Sequence, residues 1–149
     1  FKNQFFVHRD FHVSNILLKK NKLCLIDTQD AIIGNPLYDL VSLLDDVRIK
    51  IKSSLKNKMF QYYLQKSKLK NEEEYLLKND FNILSIQRNL KILGIFYRLY
   101  KRDKKPKYLK YMPYTWRLIQ LRLQNKEFKK LNFLLKKSVS NKIRKKNFF

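Results

Sequence analysis

Glycine occurs twice, proline three times, alanine once and cysteine once in 149 residues, and 12 acids face 34 bases. Each scarcity excludes something. The lone Cys24 rules out an internal disulfide framework and a cysteine-rich zinc module, and it fits a reducing, cytoplasmic setting. With only Gly34 and Gly94, no glycine-rich phosphate-covering loop can be written into this stretch. Apolar runs are all short of the roughly 20 residues a membrane span needs. No basic leader with an apolar stretch and a small-residue cleavage site is read at the start.

What is abundant points to a packed domain. Hydrophobic residues make up 44% and aromatics 14%, with 24 leucines among them. A chain of this length is expected to form one domain, or a large piece of one, burying about 68–70% of its unfolded surface. The net charge is +22, carried by 26 Lys and 8 Arg. Lys, Asn, Ile, Phe and Tyr have AT-rich codons, whereas Ala, Gly and Pro have GC-rich ones. Much of this charge therefore reads as codon drift tolerated on solvated faces. A nucleic-acid or membrane footprint is the alternative.

The charge is unevenly spread. Residues 1–46 hold five bases and six acids, so residues 47–149 carry +23. Carboxylates kept together in a basic chain suggest metal binding or acid–base work. The chain lacks an initiator Met and enters a strand almost at once, at Gln4–Val7. A piece of a longer polypeptide is expected.

The first third reads as strands and loops. His8 to Asn15 is an irregular polar loop. Ile16–Leu18 and Leu23–Ile26 are apolar runs joined by Lys19–Lys22, which reads as a β-hairpin, and Thr28 to Pro36 reads as a loop. Beyond it the chain reads as helix. Asn35–Pro36 starts one with Leu37, Leu40, Val41, Leu44 and Val47 on a face. A second runs from Ser53 or Ser54 through Leu64. Asn71 and Glu74 resemble a capping box. Ile83, Ile86, Leu90, Leu93, Tyr97 and Tyr100 step by 3 and 4, giving a helix that ends before Pro106. Two more are expected over Pro113–Leu123 and Glu127–Leu135, and the basic stretch 136–149 is expected to fray.

The chemistry sits in His8-Arg9-Asp10-Phe11-His12-Val13-Ser14-Asn15 and then Leu25-Ile26-Asp27. A hairpin returns the chain to its start, so Asp27 comes back beside Asn15. Two carboxylates and one amide oxygen then share a small space, a donor set that suits Mg²⁺. Phosphoryl transfer needs a carboxylate to orient and deprotonate the attacking hydroxyl, and metal to neutralise phosphate charge. Asp10 takes the first role; Asn15 and Asp27 take the second. The spacing from Asp10 to Asn15 matches the kinase pattern H-R-D-L-x-x-x-N, although Asp27-Thr28-Gln29 lacks the glycine of D-F-G.

These stretches, with Gly34-Asn35-Pro36-Leu37-Tyr38-Asp39-Leu40, resemble the aminoglycoside phosphotransferase/choline kinase-like family. The wording is most similar to its bacterial N-acetylmuramate/N-acetylglucosamine anomeric kinases of cell-wall recycling, including residues 87–99 and 105–109. The resemblance covers most of residues 5–120. It implies an α+β, protein-kinase-like fold of which this is the C-terminal lobe only: a short β-hairpin carrying the catalytic and metal residues on a helical body. Residues 1–36 would form the catalytic loop and metal-binding hairpin, 37–135 the helical part, and 136–149 the basic tail, with the N-lobe absent. It implies Asp10 as catalytic, Asn15 and Asp27 as metal-binding, and His8 and Asp39 as supports of the catalytic loop. Thr28 stands where the family usually has Phe, and Ser14 where Arg often precedes the Asn.

His12 and Asp30 are candidate substrate contacts, weighed against structural roles. His8 reads as a buried structural histidine, and Asp45 and Asp46 as a solvated helix face. Arg88 and Arg98 read as ion-paired or solvated, and Trp116 as core. The resemblance implies ATP and Mg²⁺ as cofactors and a sugar hydroxyl as acceptor, with an aminoglycoside- or choline-type alcohol as the alternative. A stretch without the glycine-rich loop and the strand lysine is expected to be inactive alone. The rivals are a basic nucleic-acid-binding module, which shows no recognisable motif here, and a peripheral membrane binder acting through the basic tail. No specific nucleic-acid partner is expected.

Overall fold

The computed structural model of the chain describes residues 4–67, 69 and 73–145. It is helix-rich with two small antiparallel sheets. Two compact units divide it, residues 1–84 and 85–149.

The first unit opens with strand β1, Phe5–Val7. A loop with a 3-10 turn at Val13–Asn15 leads into the hairpin of β2, Ile16–Lys19, and β3, Lys22–Leu25. Ile16 pairs with Leu25 and Lys19 with Lys22. The turn is therefore two residues, shorter than the expected four. Lys20 and Asn21 sit at φ 47° and 59°, the double left-handed geometry that matches strand twist in two-residue hairpins.

The stretch read as loop from Thr28 to Pro36 contains a third pairing element, β4, Ile32–Gly34, which joins β1 with Phe5 opposite Gly34 and Val7 opposite Ile32. Three residues are too few for periodicity to reveal a strand, and only β1 gives it a partner. A Cβ on Gly34 would approach Val7 Cγ2 to 3.3 Å, so the crossing favours glycine.

Helix α1 spans Leu37–Leu44. Asn35 accepts the Leu37 N–H through Oδ1 at 2.9 Å and donates to Asp80 Oδ2 at 2.9 Å, so it caps the helix and ties it to a distant one. Helix α2 is Ser53–Lys66, and α3 is a long helix, Glu74–Lys101. Asn71 of the expected capping box lies outside the described residues; Glu74 instead meets Lys78 at 2.6 Å and Gln61 at 2.7 Å. Lys78 and Gln61 together hold the exposed Glu74 carboxyl below its ordinary range, the Lys78 hydrogen bond contributing most.

The core of the first unit gathers Leu37, Val41 and Leu44 of α1, Phe60 and Leu64 of α2, and Leu77 and Phe81 of α3. Phe60 and Phe81 meet edge to face at 5.5 Å. Asp45 and Asp46 are buried, not solvated as their position at the helix end suggested. Asp45 pairs with Lys56 Nζ at 2.6 Å, and Asp46 Oδ1 accepts the Arg48 N–H at 2.9 Å. The chain turns at Leu44 and α2 brings Lys56 back, which helix periodicity does not encode.

In the second unit a 3-10 stretch, Pro106–Tyr111, precedes α4, Met112–Arg122. A 3-10 turn at Lys126–Phe128 leads to α5, Lys129–Ser138, and then α6, Asn141–Lys145. Residues 136–145, expected to fray, thus include the end of one helix and all of another; 146–149 lie outside the described residues. Ile86, Leu93, Trp116, Ile119 and Leu123 form this core, with Leu131 and Leu135 packed against it. The buried face of α3 also differs from the stripe read in sequence. Ile83, Tyr97 and Tyr100 are exposed, whereas Leu77, Phe81, Ile86 and Phe96 are buried. Leu77 and Phe81 serve one core and Ile86 and Leu93 the other, so no single stripe runs its length. Arg88 is buried, so of the two expected states, ion-paired or solvated, the solvated one does not apply.

Candidate active site

The site grows from the loop between β1 and β2. Its backbone closes on itself: the His12 N–H donates to the Asp10 carbonyl at 3.0 Å, and the Asn15 N–H to the His12 carbonyl at 2.9 Å. The Asn15 side-chain amide donates to the same Asp10 carbonyl at 3.0 Å. Asn15 is buried and Asp10 exposed. The Asn15 nitrogen is thereby committed to the loop, leaving its Oδ1 as the atom able to face a cation. The hydrogen bonds of Asp10 run through its backbone, so its carboxylate is presented outward.

Asp39, in the first turn of α1, anchors the loop from below. Its Oδ2 accepts the His8 N–H at 2.7 Å and its Oδ1 the Arg9 N–H at 3.0 Å. Arg9 sits at φ 71°, a left-handed conformation that costs a non-glycine residue about 1–3 kcal/mol. Two charge-assisted hydrogen bonds to one carboxylate are a force of the right size to hold it.

The hairpin of β2 and β3 is tied in at its far end. The Ile26 N–H donates to the Asn15 carbonyl at 3.1 Å, so the residue before Asp27 is tied to Asn15. His8 Nε2 lies 2.9 Å from the Ile26 carbonyl, so Nε2 carries the proton and the ring braces β3 against the loop. His8 is 1% exposed, the structural histidine expected. Asp27 is exposed and also left-handed, at φ 70°. Its Oδ1 accepts from Gln29 Nε2 at 2.9 Å. Gln29 is not singled out by the sequence reading; its place two residues after Asp27 is the signal that could have found it.

The remaining candidates divide. Asp30 is exposed, and its backbone carbonyl accepts from Arg9 Nη1 at 3.3 Å. His12 is buried within the loop. Among the described residues no three His, Cys, Asp or Glu converge as a metal-binding group. Asp27 and Asn15 could offer a carboxylate and an amide oxygen, hard donors of the kind Mg²⁺ takes when water and phosphate fill the rest of its shell.

Tyr63 of α2 was not foreseen. Its hydroxyl donates to the Pro36 carbonyl at 2.8 Å, at the start of α1. Burial pushes its phenol above the usual range, and the Asp39 charge adds to this. Beside it a cavity of about 790 Å³ is walled by Phe5, Phe11, Leu40, Met59 and Tyr63, with Asp39 at its edge. That lining suits apolar groups better than a sugar.

The phosphotransferase enzyme family model matches residues 2–75, which hold the whole of this constellation. The chain belongs to the phosphotransferase enzyme family. It is similar to N-acetylmuramate/N-acetylglucosamine kinases. That of Neisseria meningitidis serogroup B is 37% identical over 115 residues, 72% of this chain and 34% of the relative. Those of Caulobacter vibrioides and Pseudomonas aeruginosa are 30% and 31% identical, over 74% and 77% of this chain and 31% and 35% of theirs. The phosphotransferase chain thus spans about a third of the length of these relatives. No helix among the described residues is long and apolar enough to cross a membrane.

Proposed function

We propose that this phosphotransferase chain is the catalytic-loop portion, the C-terminal lobe, of an ATP-dependent sugar kinase. In this reading it transfers the γ-phosphate to a hydroxyl of an amino sugar, as the names of its relatives suggest. N-acetylmuramate or N-acetylglucosamine, at the anomeric hydroxyl, is the favoured acceptor. The observation that carries the reading is the closed loop in which Asn15 holds Asp10, Asp39 holds His8 and Arg9, and Ile26, the residue before Asp27, is bonded to Asn15.

In the mechanism, Asp10 accepts the hydroxyl proton and aims the oxygen at phosphorus. Asn15 Oδ1 and Asp27 would hold Mg²⁺, which when bound neutralises phosphate charge. His8 and Asp39 fix the loop so that these groups need no rearrangement on binding.

The surface supports a larger assembly. Leu18 and Leu23 of the hairpin are 71% and 75% exposed, and a two-stranded hairpin is at best marginally stable alone. With the apolar cavity beside β1, this fits a body whose remaining part, an N-lobe of the same polypeptide, supplies the nucleotide-covering elements. The test is a chimera in which this chain replaces the matching third of the Neisseria meningitidis kinase. It should phosphorylate N-acetylmuramate or N-acetylglucosamine with Mg-ATP. A folded chimera that phosphorylates neither, yet accepts choline or an aminoglycoside, would reassign the acceptor. One inactive on all of them would remove the kinase reading.

A further inference from the structure

We propose that the outer face of α5 docks on an anionic lipid bilayer, with Phe133 and Leu134 entering the headgroup–acyl boundary between lysines. The inference is independent of the kinase reading.

Lys130, Phe133, Leu134 and Lys137 fall at i, i+3, i+4 and i+7, one face of a helix. Phe133 is 71% exposed and Leu134 56%. The opposite side of α5 is already used, since Leu131 and Leu135 pack on the second core. The helix therefore has two apolar sides, and among the described residues only one is packed against the fold. Lys129 and Lys136 flank the outer face and are exposed.

Charge selects the occupant. Residues 85–149 hold 20 bases and two acids, a net +18, against +4 for residues 1–84. A second copy of a chain carrying +22 would be repelled. The partner must be anionic, and it must also accept a convex pair of apolar side chains. A bilayer surface does both, as lysine stems snorkel to the headgroups while Phe and Leu sink below them. Nucleic acid meets only the first requirement. The four bases on and beside this face are all Lys, point charges without the guanidinium fork that grips phosphate in two places. Leucine has no ring to stack on a base.

The experiment uses the 149-residue chain, phosphatidylcholine vesicles with and without phosphatidylserine, and physiological salt. The chain should sediment with the serine-containing vesicles only. Phe133→Ser/Leu134→Ser keeps every charge and removes outward side chains, so its melting curve should not change. Its partition should fall at least about tenfold, given what burying two such side chains contributes. Phe133→Trp should shift its emission to the blue with these vesicles and be quenched by brominated lipid; the native Trp116 is buried and supplies a constant background. Equal partition of the serine variant and the parent would mean charge alone acts, and would overturn the proposal. So would an unshifted Phe133→Trp emission. Oligonucleotide binding tighter than about 10⁻⁶ M that falls in the serine variant would assign the face to nucleic acid instead.

Discussion

The side-chain amide of Asn15 donates to the backbone carbonyl of Asp10 at 3.0 Å. One residue thus shapes the loop with its nitrogen while its oxygen stays available for a cation. Replacing Asn15 with Ala should lower the affinity for Mg-ATP far more than for ATP alone, because a hard ligand and a loop tie are lost together. Asp27→Ala should show the same metal-dependent loss. Titrating nucleotide with and without Mg²⁺ on the chimera checks both; equal losses in the two conditions would take these residues out of the metal site.

Asp10→Asn should leave stability within about 0.5 kcal/mol, because the exposed side chain makes no hydrogen bond that folding relies on. Turnover in the chimera should fall by about 10²–10⁴, the contribution of a positioned general base. Near-normal kcat would show that another group takes the proton.

Asp39→Ala removes the acceptor of two backbone amides, and the His8 N–H is left without its partner in a buried residue. A loss of about 2 kcal/mol is expected, the usual penalty for an orphaned buried donor. Urea unfolding of the chain measures it. Asp39→Asn keeps one acceptor oxygen and should recover part of the loss.

Tyr63 gives a pH signature. Its folded pKa lies above the ordinary 10.0, so the folded chain keeps a proton that the unfolded chain releases first. This contribution is fully present below about pH 10 and is lost as pH rises through the folded pKa. Tyrosinate absorbance should show a late-titrating phenol that is lost in Tyr63→Phe. If that variant leaves the titration curve unchanged, the late phenol is a different residue.

Lys56→Met should destabilise by about 3 kcal/mol, since it strips a buried carboxylate of its 2.6 Å ion partner. The thermal midpoint of the variant should fall well below that of Lys58→Met, an exposed lysine on the same helix. Equal midpoints would mean that the Asp45–Lys56 pair carries no net stability.

The sequence by itself determined which residues share this loop and most of the elements around it. The spacing of His8, Asp10 and Asn15, the apolar runs Ile16–Leu18 and Leu23–Ile26, and the Asn35–Pro36 start are local patterns, and local geometry follows from them. What lay beyond reach was whatever depends on a partner far along the chain. Three residues at Ile32–Gly34 become a strand only because β1 offers its edge. Asp45 is buried because Lys56 comes back to meet it, and Tyr63 joins the site through Pro36, 27 residues away. The face that α3 buries changes where it passes from one core to the next, so a single period could not describe it. Periodicity reports how a segment could be buried; only the tertiary structure, by supplying the surfaces it packs against, decided which way each one turned.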